Sequence, residues 1–138
     1  MLAIDPGSKR VGLAVSDETA TIAQPLGDEP AEPAQSLAGR LAERARAAGA
    51  GAVVVGLPTR LDGSQGPEAK AARELAAQLR AEGLKVDLMD ERLTSAAAER
   101  TLLEAGMRRE RRKRMAHRVS AALILQSYLD KTRSGRRA

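Results

Sequence analysis

The chain has 138 residues and a formal net charge of +5, with one histidine and no cysteine. A disulfide framework, a thiolate metal site and a polyhistidine zinc site are therefore excluded, and any metal must be held mainly by carboxylates, which favours magnesium or manganese. One tyrosine without phenylalanine or tryptophan excludes the stacking platforms of single-strand binders.

Leu2 to Ile4 is a short apolar run that stops at Asp5-Pro6-Gly7-Ser8, a strong turn signal. Val11, Leu13 and Val15 alternate with Gly12, Ala14 and Ser16, the period of a strand folded back on the first as a hairpin. A third strand is predicted over Thr21 to Leu26, closed by Pro25 and the polar stretch Gly27 to Pro33. Leu37 and Leu41 among alanines mark a helix from Ala34 to Ala48, stopped by Gly49. Ala52 to Val55 has the composition of a strand buried on both faces. It runs into Gly56-Leu57-Pro58 and a loop through Asp62-Gly63-Ser64, whose glycines suit close approach to a ligand or a plain connection equally. Pro67 opens a helix to about Glu82, stopped by Gly83. Lys85 to Met89 is a fifth strand ending at Asp90-Glu91-Arg92, and Thr94 or Ser95 caps a helix that ends at Gly106. A last helix runs from about Lys113 to Lys131.

The order βββαβαβαα predicts an α/β fold, a mixed five-stranded sheet with helices on both faces. Residues 1–131 form one domain in this reading, and 132–138 a flexible basic tail. With no apolar run of about 18 residues and no signal-like start, the expectation is a cytoplasmic protein without a membrane partner.

Three polar groups stand where apolar runs stop: Asp5, the Asp90–Glu91 pair, and His117 near the start of the last helix. Ligands of open α/β sheets gather at the carboxyl ends of strands, where the first two would converge. Each also has a plain explanation. Asp-Pro-Gly is ordinary turn chemistry, and His117 shares an apolar helical arc with Ala121, Ile124 and Tyr128, as a buried core imidazole would.

Four ordered blocks carry a family likeness. They are Leu2-Ala-Ile-Asp5-Pro-Gly-Ser-Lys-Arg-Val-Gly-Leu-Ala-Val-Ser-Asp17; Val53-Val-Val-Gly56-Leu57-Pro58 with Asp62-Gly63; Asp90-Glu91-Arg92-Leu93-Thr94; and Ala121-Ala-Leu-Ile-Leu-Gln-Ser-Tyr128-Leu-Asp130. Together they resemble the YqgF (RuvX) family of Holliday-junction-resolvase-like proteins and pre-16S ribosomal RNA nucleases, of ribonuclease-H-like fold. The resemblance implies a metal-dependent nuclease with Asp5, Glu91 and His117 as catalytic and metal-binding residues and Asp90 as a further acidic ligand. By the resemblance, most relatives carry an aspartate at the position of His117. An imidazole supplies no negative charge for holding two cations and suits manganese better than magnesium, so Mn2+ is favoured over Mg2+.

Charge is distributed unevenly. Residues 1–106 carry 12 basic and 16 acidic side chains, whereas residues 107–138 carry 11 and 2. The segment Met107 to Met115 holds six cations, and Arg108, Arg109, Arg111, Arg112, Lys113 and Arg114 are candidates to grip a phosphate backbone, the alternative being a solvated loop. Lys9, Arg10, Arg60 and Arg92, near the strand-end turns, are further nucleic-acid contacts. Structured RNA, the 5′ end of pre-16S rRNA, is the preferred substrate, recognised by shape and phosphates. Branched DNA is the runner-up, since junction resolution needs a symmetric dimer and the chain has no obvious dimer seam; monomer and homodimer both remain open. Two other classes compete. The Asp5-Pro-Gly-Ser-Lys hairpin is also similar to the first phosphate loop of sugar kinases and actin-like ATPases, although 138 residues supply one such domain rather than two. The histidine at 117 gives weight to a non-catalytic adaptor in ribosome assembly or transcription.

Overall fold

The structure, a computed structural model, describes residues 1–7, 9–58, 62–90 and 119–131. Five strands form one sheet: β1 (Leu2–Asp5), β2 (Arg10–Ser16), β3 (Ala23–Pro30), β4 (Ala52–Leu57) and β5 (Lys85–Asp90), in the order β3-β2-β1-β4-β5. The first three are antiparallel neighbours, and β1–β4 and β4–β5 are parallel. Helices α1 (Ala34–Ala47) and α2 (Pro67–Ala81) are the connections that parallel pairing requires. Gly49 and Gly83, at φ 72° and 93°, take the left-handed conformation that ends each helix.

Alternation along the strands divides the interior into two layers. Leu2, Ile4, Val11, Leu13, Val53, Val55 and Leu57 face α1 and α2, which contribute Ala38, Leu41, Ala42 and Ala45, and Ala69, Ala72, Leu75, Ala76 and Leu79. Both helices bury residues at spacings of three and four, the stripe that a helix on a sheet must have. The opposite layer joins Ala3, Ala14 and Val54 to Ala121, Ile124, Leu125 and Leu129 of the helix over residues 119–131, with Tyr128 partly buried beside them. The arc predicted to face the sheet, Ala121, Ile124 and Tyr128, does so.

The third strand differs from its predicted span of 21–26. It begins at Ala23 and continues through the polar stretch to Pro30. Pairing passes from Leu13↔Gly27 to Ala14↔Pro25, so Leu26 is an extra, bulged residue. Prolines at 25 and 30 are tolerated because β3 is an edge strand and needs no second ladder. Its acidic residues are paired: Arg10 Nη2 donates to Asp28 Oδ1 at 2.8 Å, and Glu29 receives Arg40 at 3.0 Å and Arg44 at 3.2 Å. Arg40 also donates to the carbonyls of Pro30 and Pro33, which ties the end of β3 to the start of α1. Polarity alone reads this stretch as a loop; pairing with β2 makes it a strand, and ion pairs to β2 and α1 neutralise its acids.

The predicted helix over 94–106, the first part of the last helix and the tail over 132–138 lie outside the described residues. Among the described residues no helix is long and apolar enough to cross a membrane.

Candidate active site

Asp5 closes β1, the central strand, and is 3% exposed. Ala3, two residues earlier, packs in the layer of the 119–131 helix while Leu2 and Ile4 pack in the other, so alternation puts Asp5 on the 119–131 side. Its register partner on β2 is Gly12. On the other flank Ile4 pairs with Val55, which brings Gly56 of β4 to the level of Asp5. Both glycines are buried and belong by alternation to the same face as Asp5. The carboxylate thus has only main chain beside it on each neighbouring strand, the closest approach to an acid that a sheet permits.

Asp90 ends β5 opposite Leu57, at the same end of the sheet, but the structure does not bring it to Asp5. Val86 and Leu88 pack with the α1/α2 layer and Met89 with the other, so Asp90 counts with Val86 and Leu88. It is exposed, on the face away from Asp5. Among the described residues no three acidic or histidine side chains form a metal-sized group. Glu91 and His117 lie outside the described residues, as do Arg60, Arg92, Arg108, Arg109, Arg111, Arg112, Lys113 and Arg114. Of the two described cations expected to touch nucleic acid, Lys9 is exposed in the turn after Asp5. Arg10 is engaged with Asp28, whose hydrogen bond and charge raise its pKa. In the loop before α2, Asp62 is committed locally: the hydroxyl and main-chain N–H of Ser64 lower its pKa.

Two residues of the last helix were not singled out from the sequence. Gln126 grips the β2–β3 connection, its Oε1 accepting the Ala23 N–H at 3.0 Å and its Nε2 donating to the Thr21 carbonyl at 2.9 Å. The same connection is shaped by Asp17, which accepts the N–H groups of Thr21 and Ile22 and the Thr19 hydroxyl; these bonds, Thr21 first, hold its carboxyl below the ordinary range. No sequence signal links Gln126 to partners more than a hundred positions away. Ser120 is the other, a hydroxyl 3% exposed on the same side of the sheet as Asp5. Its signal was present, a serine one helical turn before Ile124 on the buried arc.

The class follows from this geometry: a mixed sheet in this strand order, with a buried carboxylate ending the central strand and helices on both faces, is the ribonuclease-H-like fold. Solved structures agree. The RuvC of T. thermophilus in complex with Holliday junction substrate superposes with a TM-score of 0.60 at 22% identity, over 98% of this chain and 97% of that one. Fowlpox virus resolvase with its Holliday junction DNA gives 0.54 at 12% identity, over 96% and 99%. At such identities the likeness shows the fold.

The family is narrower. The RuvX profile, described as Holliday junction resolvase, matches residues 1–131, and the chain belongs to that family. A relative from Acidiphilium cryptum is 42% identical over 94% of this chain and 83% of its own length. Another, from Moorella thermoacetica, is 42% identical over 95% and 94%. Both bear the name "Putative pre-16S rRNA nuclease". The protein is a nuclease, a phosphodiester hydrolase.

Proposed function

We propose that the protein is a metal-dependent nuclease of structured RNA that trims the 5′ end of pre-16S rRNA in the cytoplasm, with Asp5 as the central metal-holding carboxylate. The observation that carries this reading is the buried Asp5 between two glycines at the carboxyl end of the central strand. The names of the RuvX relatives supply the substrate.

The residues fit a divalent cation. A buried carboxylate and a buried hydroxyl, Ser120, are hard oxygen groups of the kind that magnesium and manganese take. Such an ion, when bound, would supply Lewis acidity toward a phosphate oxygen and would make an attacking water more acidic. Glu91 is the second acid of the proposed site, carried over from the Asp90-Glu91-Arg92-Leu93-Thr94 block of the family resemblance, with Asp90 beside it as a further acid. His117 is the third group, and with an imidazole in place of a carboxylate the reading favours Mn2+ over Mg2+. The arginines of 108–114, with Lys113, hold the phosphate backbone, and Lys9 extends that contact to the turn after β1. Arg10 would join once its bond to Asp28 is exchanged for a phosphate.

A cleavage assay tests the reading. A pre-16S fragment and a four-way DNA junction are incubated with Mn2+ or Mg2+, using wild type and Asp5→Asn. Cutting of the RNA by wild type, faster in Mn2+, with a loss of roughly a hundredfold or more in Asp5→Asn, is expected, beyond what removal of an outer-shell partner costs. Cutting of the junction but not the RNA would transfer the substrate to branched DNA, as the family's description has it. Equal rates for wild type and Asp5→Asn would remove Asp5 from the chemistry.

A further inference from the structure

Ser120 is a buried polar group, 3% exposed, that no described residue hydrogen-bonds. A buried hydroxyl without a partner costs about 1–3 kcal/mol, so a serine held there calls for a partner.

Its place in the fold says where that partner comes from. Gln126 anchors the helix at Ala23, which pairs with Ser16, and the Ser16 N–H donates to the Met1 carbonyl. Gln126 therefore sits at the end of the sheet away from Asp5. Asp5 is four residues along β1 from Met1, about 13 Å at the rise of a strand. Ser120 precedes Gln126 by six residues, about 9 Å along the helix, and a helical side chain leans further toward the N-terminus. The helix runs from the Gln126 anchor toward the Asp5 end of the sheet. Ser120 shares its inward arc with Ile124, which packs over Ala3 and Val54. That course directs the turn before Ile124 toward the strand-end level of Asp5 and the side-chain-free positions Gly12 and Gly56.

We propose that Ser120 is a positioning residue of the Asp5 site, its hydroxyl hydrogen-bonding an oxygen in the coordination shell of the divalent cation. The proposal rests on the cation reading of Asp5. The partner oxygen is a water when the cation is alone and a water or phosphate oxygen when nucleic acid is bound. The hydroxyl satisfied in this way explains why a serine stands among Ala121, Ile124 and Leu125 on the buried arc.

The test is calorimetric titration of the full chain with Mn2+ alone, paired with thermal unfolding in metal-free buffer. Ser120→Ala is expected to weaken Mn2+ binding roughly three- to tenfold, the worth of one hydrogen bond, while leaving metal-free stability unchanged or raised. Ser120→Asp is expected to fold and to bind Mn2+ more tightly than wild type, by adding a carboxylate to the shell. An unchanged affinity in Ser120→Ala, while Asp5→Asn abolishes binding, overturns the role of Ser120 and leaves that of Asp5 intact. A Ser120→Asp chain that does not fold, or that folds without tighter binding, marks an apolar surrounding and overturns it too. Wild type that binds no Mn2+, or binds it equally after Asp5→Asn, overturns the cation reading and this inference with it.

Discussion

The two faces of the sheet are built from the same strands and differ at every level. Toward α1 and α2, β1, β2 and β4 present Leu2 and Ile4, Val11 and Leu13, and Val53 and Val55. Toward the 119–131 helix the same strands present Ala3 and Asp5, Gly12 and Ala14, and Val54 and Gly56. The first face is thick: each large aliphatic side chain withdrawn from water contributes about 1.5–3 kcal/mol, and this layer holds the fold together. The second is thin. Small residues let a helix approach the sheet closely and leave one carboxylate as the largest functional group at the strand end. With Asp5 as the proposed site, stability and chemistry fall on opposite sides of one layer of backbone.

Substitutions that exchange the characters of the two faces should break this division. Leu13→Ala opens a cavity in the thick layer and should cost about 2–5 kcal/mol in urea unfolding. Its residual folded fraction should still cleave RNA. Gly12→Val, one position away, fills the space beside Asp5 and should cost about 1–3 kcal/mol while removing cleavage. Retained cleavage in Gly12→Val would show that the thin face needs no open space beside its acid.

A smaller effect is expected where the thin face is fastened. Gln126→Ala deletes two hydrogen bonds to main chain, at Thr21 and Ala23, and should cost about 1–2 kcal/mol. If the helix depends on that grip for its alignment, kcat should fall more than the loss of folded protein explains, and Gln126→Glu should restore only the bond from Ala23.

The smallest effect lies in the turn that Gln126 holds. Asp17 has a folded pKa below its ordinary value of about 3.9, so its bonds stabilise the fold fully above that pH. The contribution is lost as pH falls through the depressed folded value. Wild type and Asp17→Asn should therefore differ in thermal midpoint at neutral pH and converge under strong acid. A difference that persists after the carboxyl is protonated would assign the effect to something other than its charge.

Much of this was legible in the residues themselves. The alternation of Val11, Leu13 and Val15 with Gly12, Ala14 and Ser16 states the two faces of β2 before any partner is known, because side-chain direction in a strand is a local property with a period of two. Helix stops at Gly49 and Gly83 and the end of β1 at Asp5 are local in the same sense. What only the tertiary structure decided depends on partners distant in sequence. The polar stretch 27–30 is strand because β2 offers it a ladder, while α1 supplies arginines to Glu29 and β2 supplies Arg10 to Asp28. Asp90 ends a strand as Asp5 does, yet only the core each strand packs into shows that the two acids stand on opposite faces. Gln126 reads as an ordinary helical residue until Thr21 and Ala23 are placed under it. Residue types and short periods determined which groups could do chemistry; register and packing, set by contacts a hundred residues apart, decided which of them share a face.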